Sequence, residues 1–436
     1  MLKNTFKILG LGSALSLAAG PALAEVSPET AYVFNTFLFL VCGFLVMFMA
    51  AGFAMLESGM VRSKNVATIC LKNISLFSIA GLMYWLVGYN LMYGIEEGGY
   101  IGELFSIWSA DDSAIAGEAP DFSGGYAAGS DWYFQMVFCA TTASIVSGTI
   151  AERMKLWPFL IFTLFLTGFI YPIVGSWEWG TGWLDAMGFS DFAGSTLVHS
   201  TGGWAALAGA IVLGARAGKY GPNGEVTPIP GSSMPLATLG TFVLWLGWFG
   251  FNGGSQLALG SGADAAAISN IFINTNMAAA AGVVAAMIAS NALYGKIDLT
   301  MALNGAIGGL VSITAEPLTP SIPAAAFIGA VGGVLVVLAV PLLDKMKVDD
   351  VVGAIPAHLV CGIWGTMIVP LTNGDASYGV QAIGVISVGI FTMVASGILW
   401  SALKATVGIR VEDDGELLGL DKSELGIEAY PEFSRT

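Results

Sequence analysis

Charge is scarce in this sequence. Only 11% of its 436 residues are charged, 55% are hydrophobic, and mean hydropathy is +0.75. Because a soluble globular protein carries about 25% charged residues, this composition excludes that class and predicts a polytopic membrane protein. Cysteine is also rare, and its four positions lie in apolar runs at no metal-ligand spacing, which indicates packing residues and neither disulfides nor a metal site. They are Cys42, Cys70, Cys139 and Cys361.

The first 24 residues have the pattern of an export signal. Lys3 and Lys7 precede an apolar stretch, and Ala22-Leu-Ala24 is typical of a cleavage site. An extra membrane helix is the alternative, but the apolar core is short and contains Pro21 near its end. We therefore predict a signal peptide at 1–24 and a mature amino terminus outside the cell.

Long apolar runs predict eleven transmembrane helices between residues 25 and 403, followed by a cytoplasmic tail at 404–436. The predicted spans are 31–55, 74–93, 132–151, 157–176, 193–215, 234–253, 266–291, 299–315, 322–343, 352–371 and 381–403. With an external start, all Lys and Arg of the mature chain fall in inner loops or the tail, which is a strong positive-inside signal. The outer loops are acidic, which either concentrates cations or only keeps those loops soluble.

Histidine occurs only twice, at His199 in the fifth span and His358 in the tenth. An ionisable ring in a lipid-spanning helix is costly, so it indicates a transport pathway, although one such ring could simply bond a neighbouring helix. Two of them, each followed by glycine, favour a shared pore. Spans one to five and six to ten would have opposite orientations, which predicts a five-plus-five inverted repeat with an extra last helix.

Aromatic residues cluster at the predicted outer ends of three spans, around Phe138, Trp179 and Phe251. Such residues are usually interface anchors, but a converging cluster could hold a cation over its rings, worth about 0.5–2 kcal/mol per contact. Asp191 begins the fifth span, where a carboxylate is expected to cap the helix.

At these residues the chain resembles the Amt branch of the ammonium transporter/methylammonium permease/Rhesus superfamily, over about residues 30–430. Its motifs are spread along the whole chain in a specific order. They are Gly52-Phe-Ala-Met-Leu-Glu57 through Asn65, Ala151-Glu152-Arg153, Asp191 through His199, Gly247 through Ser255, Asn304 through Ala315, and the His358 segment.

The resemblance implies a transporter that is not an enzyme, uses no cofactor and binds no nucleic acid. It implies a homotrimer in a prokaryotic cytoplasmic membrane, with one pore per subunit for ammonium or methylammonium. By motif position, Trp179, Phe138 and Ser255 would form the external site, and Phe138 would stack with Phe251 as a gate. His199 and His358 would line the pore. Asp191 would support the site, and Trp248 is assigned to packing.

Two segments bear on the details. The family commonly has a third acid and a phenylalanine before the second histidine, where this chain has Gly353, Ile355 and Pro356. The tail resembles the part through which subunits couple and PII-type signal proteins bind, with Leu425 at a position often held by histidine. Alternatives are an ammonium sensor with low flux, a Rhesus-like ammonia gas channel and, more remotely, a bis-histidine haem redox protein. Whether net charge is carried stays open.

Overall fold

The computed structural model describes residues 26–110, 117–118 and 120–433. The predicted signal peptide lies outside these residues. Within the described residues all the regular secondary structure is helical, with isolated β-bridges and no β-strand. We number its long helical segments α1 to α11 in chain order. They are Pro28–Met60, Ser63–Tyr93, Ala128–Thr149, Leu156–Ser176, Ser195–Leu213, Met234–Gly254, Gly262–Tyr294, Leu299–Thr314, Ile322–Lys345, Ile355–Leu371 and Tyr378–Thr406.

Each predicted span falls on one of these segments. Eight of them are long and apolar enough to cross a membrane, and α8 and α10 are shorter apolar helices. The remaining segment, α3, carries more polar residues, and every residue from 134 to 149 is buried. The surface of α1, by contrast, exposes Phe37, Phe44 and Phe48, which recur on one helical face. A buried polar helix within apolar-faced helices is the pattern expected of a protein surrounded by lipid.

Helices α5 and α10 begin in the same unusual way. Each opens with a π-helical turn that contains the histidine, at Ser195–Ser200 and Ile355–Val360. A glycine in the left-handed region precedes each turn, Gly194 at φ +103° and Gly353 at φ +81°. Gly353, which departs from the family pattern, therefore occupies the position equivalent to Gly194. An aspartate precedes each glycine by three residues, Asp191 before Gly194 and Asp350 before Gly353, and the histidine follows each glycine by five.

A charged network joins one end of the bundle, which we call the basic end. Arg216 contacts Glu152 at 3.1 Å and Asp349 at 2.9 Å, and Arg62 contacts Glu152 at 2.7 Å. Burial by itself would raise the pKa of Asp349, but hydrogen bonds from Arg216 and the charges of Arg153 and Arg216 outweigh it and lower that pKa to about 2. These contacts tie α3, α5 and the loop before α10 together.

The tail folds back over the basic end. Asp421 accepts hydrogen bonds from the N–H groups of Ala67 and Thr68 at the start of α2, and Glu424 accepts one from Leu156 N at the start of α4. All four cysteines are unpaired. Three are buried, but Cys70 is exposed on the surface of α2, so its prediction as a packing residue is wrong.

Candidate functional site

A vestibule of about 340 Å³ opens at the end of the bundle opposite the basic end. It brings together Phe138 from α3, Trp179 three residues after α4 and Ser255 directly after α6. The predicted external site requires these three residues to lie close to one another. The other residues lining it are Tyr89, Tyr93, Tyr126, Asp131, Phe134, Gln135, Phe192 and Leu257. Most of these are aromatic rings, so a small cation in this vestibule would meet π faces together with a few oxygen atoms.

Phe138 closes the vestibule at its inner side. Its ring packs edge-on to Trp179 with 6.1 Å between centroids and stacks on Phe251 at 3.9 Å. Both phenylalanines are almost fully buried. Ser255 Oγ donates to Phe251 O at 2.8 Å, which leaves its lone pairs as acceptors. The stacked pair therefore separates the vestibule from the interior of the protein.

The two histidines lie directly inside this pair. His199 Nδ1 and His358 Nδ1 are 3.2 Å apart, so one ring donates and the other accepts. His199 stacks at 5.2 Å on Phe251 and at 4.9 Å on Trp248, and its Nε2 is buried with no hydrogen-bond partner among the described residues. The histidines thus form one unit, with Nε2 of His199 available to a molecule that passes the phenylalanine pair.

Trp248 has a closer relation to this unit than the sequence indicated. The sequence predicts a packing role for Trp248, but its indole stacks on the His199 ring and donates from Nε1 to Thr314 Oγ1 at 2.8 Å. Its indole therefore fixes one wall of the histidine unit. The only sequence signal for this role was its position one turn before Phe251 on α6.

Asp191 caps α5, as predicted. Its carboxylate accepts hydrogen bonds from four consecutive backbone N–H groups, those of Gly194, Ser195, Thr196 and Leu197, at 2.7–3.2 Å. Burial raises the pKa of Asp191 to about 6, and the four donors limit that rise. The carboxylate does not line the vestibule. It holds the π-helical turn that carries His199.

Sequence reasoning missed an acid in the vestibule wall. Asp131 lies in the first turn of α3 and is 6% exposed, and Tyr89 donates a hydrogen bond to its Oδ2 at 2.5 Å. An acid in the first turn of a helix is ordinarily explained by the helix dipole. Nothing in its local sequence showed that α2 would bring a tyrosine to it.

On the other side of the histidine unit, two cavities lead towards the basic end. A cavity of about 10 Å³ is lined by His358, Phe53 and Glu57 together with residues of α3 and α8. A second cavity, of about 490 Å³, opens at the basic end itself and is lined by Arg216, Asp350 and neighbouring residues. Vestibule, phenylalanine pair, histidine unit and inner cavities thus lie in sequence through the bundle.

Known proteins resemble this chain over most of its length. The family model described as Ammonium Transporter Family matches residues 37–430. The chain belongs to the ammonium transporter family. It is therefore a multi-pass membrane protein and, like its relatives, not an enzyme.

Relatives of this ammonium transporter family member match it over most of their length. The ammonium transporter Amt2 of Archaeoglobus fulgidus is 40% identical over 426 residues, which cover 90% of this chain and 87% of that protein. A solved structure described as a Sensor Amt Protein is 36% identical with a TM-score of 0.84, and the match covers 92% of this chain and 100% of that one. The Mep2 structure from Candida albicans is 27% identical with a TM-score of 0.79, covering 93% and 92%.

Proposed function

We propose that this family member takes up ammonium at the vestibule, removes a proton there and conducts ammonia through the histidine unit into the cytoplasm. Trp179, Phe138 and Ser255 form the recruitment site, where ring faces and a hydroxyl oxygen replace part of the hydration shell of the ion. Moving an unpaired ammonium ion into a low-dielectric interior is far too costly, so losing the proton is the cheaper route. A potassium ion has no proton to lose and is rejected by the same barrier.

The single observation that carries this proposal is the contact between His199 Nδ1 and His358 Nδ1 directly behind the stacked phenylalanines. Phe138 and Phe251 act as a gate that admits one small molecule when the rings rotate. Behind them, imidazole nitrogens offer both a donor and an acceptor to ammonia in an otherwise apolar passage. Asp191 supports the site by fixing the turn that presents His199.

All of α1 to α11 span the membrane in this proposal, with the amino terminus outside and the basic end inside. Helices α5 and α10 both begin with a π-helical turn, and Asp350 accepts hydrogen bonds from Gly353 N and Ile355 N much as Asp191 does at the start of α5. This likeness supports a five-plus-five inverted repeat with α11 outside it. Residues 1–24 are a signal peptide, 25–403 the transmembrane domain and 404–436 the cytoplasmic tail. We further propose a homotrimer in a prokaryotic cytoplasmic membrane, with a PII-type protein as partner of the tail.

A second function, ammonium sensing with little flux, is favoured by one specific observation. The structure described as a Sensor Amt Protein matches this chain over 92% of its length. The two functions differ in turnover. Methylammonium uptake by a transport-deficient host, together with electrical recording from proteoliposomes, distinguishes them, because a sensor would bind the ion without accumulating it.

The transport proposal is tested with His199→Ala and His358→Ala. Each substitution removes one nitrogen of the histidine contact, and we expect selective ammonium uptake to be abolished in both. Cys361→Ala is a matched control, because Cys361 follows His358 on α10 but donates to Gly332 O at 3.4 Å, away from the pore. Normal uptake and normal selectivity over potassium in both histidine variants would refute the pore assignment.

A further inference from the structure

Two oppositely charged side chains are buried between the helices near the basic end. Glu57, in the last turn of α1, is 1% exposed, and Lys72, on α2, is 2% exposed. Glu57 Oε2 accepts a hydrogen bond from Ser147 Oγ at 2.7 Å, and Lys72 Nζ donates to Ser147 O at 2.7 Å. Because ionisable groups inside a membrane protein are costly to retain, such a pair is by default a functional feature.

The second carboxylate oxygen of Glu57 has no hydrogen-bond partner among the described residues. Oε1 is buried and has no partner within 3.5 Å, although the Asn73 amide, which donates to Ile69 O at 3.0 Å, also lies close to the Glu57 carboxylate. A buried carboxylate that served only to hold helices together would direct both oxygens at donors, since an unpaired one costs free energy. The free oxygen therefore requires another explanation.

Glu57 and His358 share the small inner cavity. Its volume of about 10 Å³ is enough for about one water molecule. Phe53 lies one helical turn before Glu57 on α1 and packs against His358, with 6.2 Å between the ring centroids. Glu57 is thus the first acidic side chain that lines the passage on the basic-end side of the histidine unit.

The small cavity adjoins the large one at the basic end. Asn304 and Val352 line both cavities, and Asn304 Nδ2 donates to Val352 O at 3.0 Å between them. A proton that reached Glu57 would therefore have one polar contact to pass before the open cavity. No comparable carboxylate lies between His358 and this cavity in the set of residues that line the smaller one.

We propose that Glu57 accepts the proton that leaves the histidine unit and releases it to water at the basic end; this rests on the proposed transport function. In the first step an N–H bond of ammonium breaks at the phenylalanine pair as an N–H bond forms at His199 Nε2, and the proton between the two Nδ1 atoms shifts from His199 to His358. The Nε2–H bond of the protonated His358 then breaks as an O–H bond forms at Glu57 Oε1, relayed by one water. Imidazolium and carboxylate become imidazole and carboxylic acid. In the second step that O–H bond breaks, its proton passes to water in the large cavity, and the carboxylate re-forms.

Lys72 is the positioning residue for this relay. Its ammonium shares Ser147 with Glu57 and supplies the positive charge that stabilises the carboxylate between transfers. Arg153 adds further positive charge beside Lys72. Each cycle moves one positive charge inward together with one ammonia molecule, so ammonium uptake is electrogenic.

The test uses proteoliposomes of the full-length protein and measures ammonium-evoked current, methylammonium uptake and neutral ammonia conduction, the last by stopped-flow vesicle pH. We expect Glu57→Gln to lower the current at least tenfold and to leave neutral ammonia conduction within twofold of the unsubstituted protein. Glu57→Asp, which keeps the carboxylate, should retain at least a third of the current. Ser58→Ala removes the next buried polar group on α1, whose Oγ faces Cys70, and should leave the current unchanged.

A doubly neutral variant separates proton transfer from charge balance. Glu57→Gln combined with Lys72→Gln leaves no uncompensated charge, and we expect its current to stay as low as that of Glu57→Gln alone. A current restored by the double substitution would overturn the relay, as would a parallel loss of current and neutral ammonia conduction in Glu57→Gln. Methylammonium uptake without current in the unsubstituted protein would also overturn it while transport stands. Absence of both uptake and current would refute the transport function itself.

Discussion

Gly203→Ala is the sharpest structural test of the histidine unit. Gly203 lies one turn after His199, where α5 crosses α10, and a Cβ placed there would be 2.9 Å from the backbone N and Cα of Leu359 and 2.6 Å from its Cβ. Ordinary contacts of a Cβ begin at 3.4 Å. Because these are mostly backbone atoms that cannot rotate away, the two helices must separate by about 0.5 Å or more.

That separation is enough to break the histidine contact. The Nδ1 atoms of His199 and His358 are 3.2 Å apart, and an increase of about 0.5 Å exceeds the range of an N–H···N hydrogen bond. Leaving one buried nitrogen unpaired costs about 1–3 kcal/mol, which corresponds to a loss of about 5-fold to 150-fold in a rate that depends on the contact. We expect methylammonium uptake by Gly203→Ala to fall within that range while the protein still inserts.

The assay compares initial uptake rates at matched protein levels, and Gly397→Ala is the matched control. Gly397 is also a helical glycine, in α11, but a Cβ added there meets nothing within 4 Å. Since alanine also lowers the conformational entropy of the unfolded chain, we expect unchanged uptake and unchanged or slightly higher thermal stability in this variant. If Gly203→Ala took up methylammonium at the normal rate and with normal selectivity, uptake would not depend on the histidine contact.

Two further predictions concern the carboxylates around the bundle ends. Because its pKa is lowered, Asp349 contributes about 2 kcal/mol to the free energy of unfolding above about pH 4, and this contribution is lost as the pH falls towards 2. In detergent, Asp349→Asn should therefore have a lower melting temperature at neutral pH, and its melting temperature should fall less on acidification. A melting temperature that depends on pH as in the unsubstituted protein would contradict this. Asp191→Ala leaves four buried N–H groups without their acceptor, so we expect destabilisation of at least about 2 kcal/mol by thermal unfolding. Asp191→Asn should be intermediate, and equal stability of all three proteins would refute the capping role.

The helices were predictable because the lipid environment imposes one simple requirement on sequence. Apolar runs of sufficient length predict all eleven spans, including α3, although α3 carries more polar residues than the other helices. What could not be predicted is local geometry. The π-helical turns lie where Asp191 and Asp350 accept hydrogen bonds from backbone N–H groups. Hydrogen bonds between residues five apart leave no recognisable pattern in an apolar sequence.

The candidate site divides in the same way. Phe138, Trp179 and Ser255 belong to motifs with distinctive residues, so their convergence was predictable by resemblance. Glu57 lies in a motif that assigns it no role, because its role depends on Ser147 and Lys72, which come from other helices. Contacts between helices far apart in sequence are determined by packing, and no local sequence pattern predicts them.

The crossing of α5 and α10 has a consequence for how the protein turns over. Many inverted-repeat transporters expose their site to each side alternately, by rocking one half against the other. Here a Cβ at Gly362 would lie 2.4 Å from Ser195 O, and Gly203 abuts Leu359 in the same way, so the two halves meet backbone to backbone at their midpoint. Rocking would have to pull these contacts apart. We infer that, under the proposed transport function, rotation of the stacked phenylalanine rings controls access while the crossing of α5 and α10 stays fixed. Both ends of the passage would then be hydrated in a single backbone conformation, as in a channel.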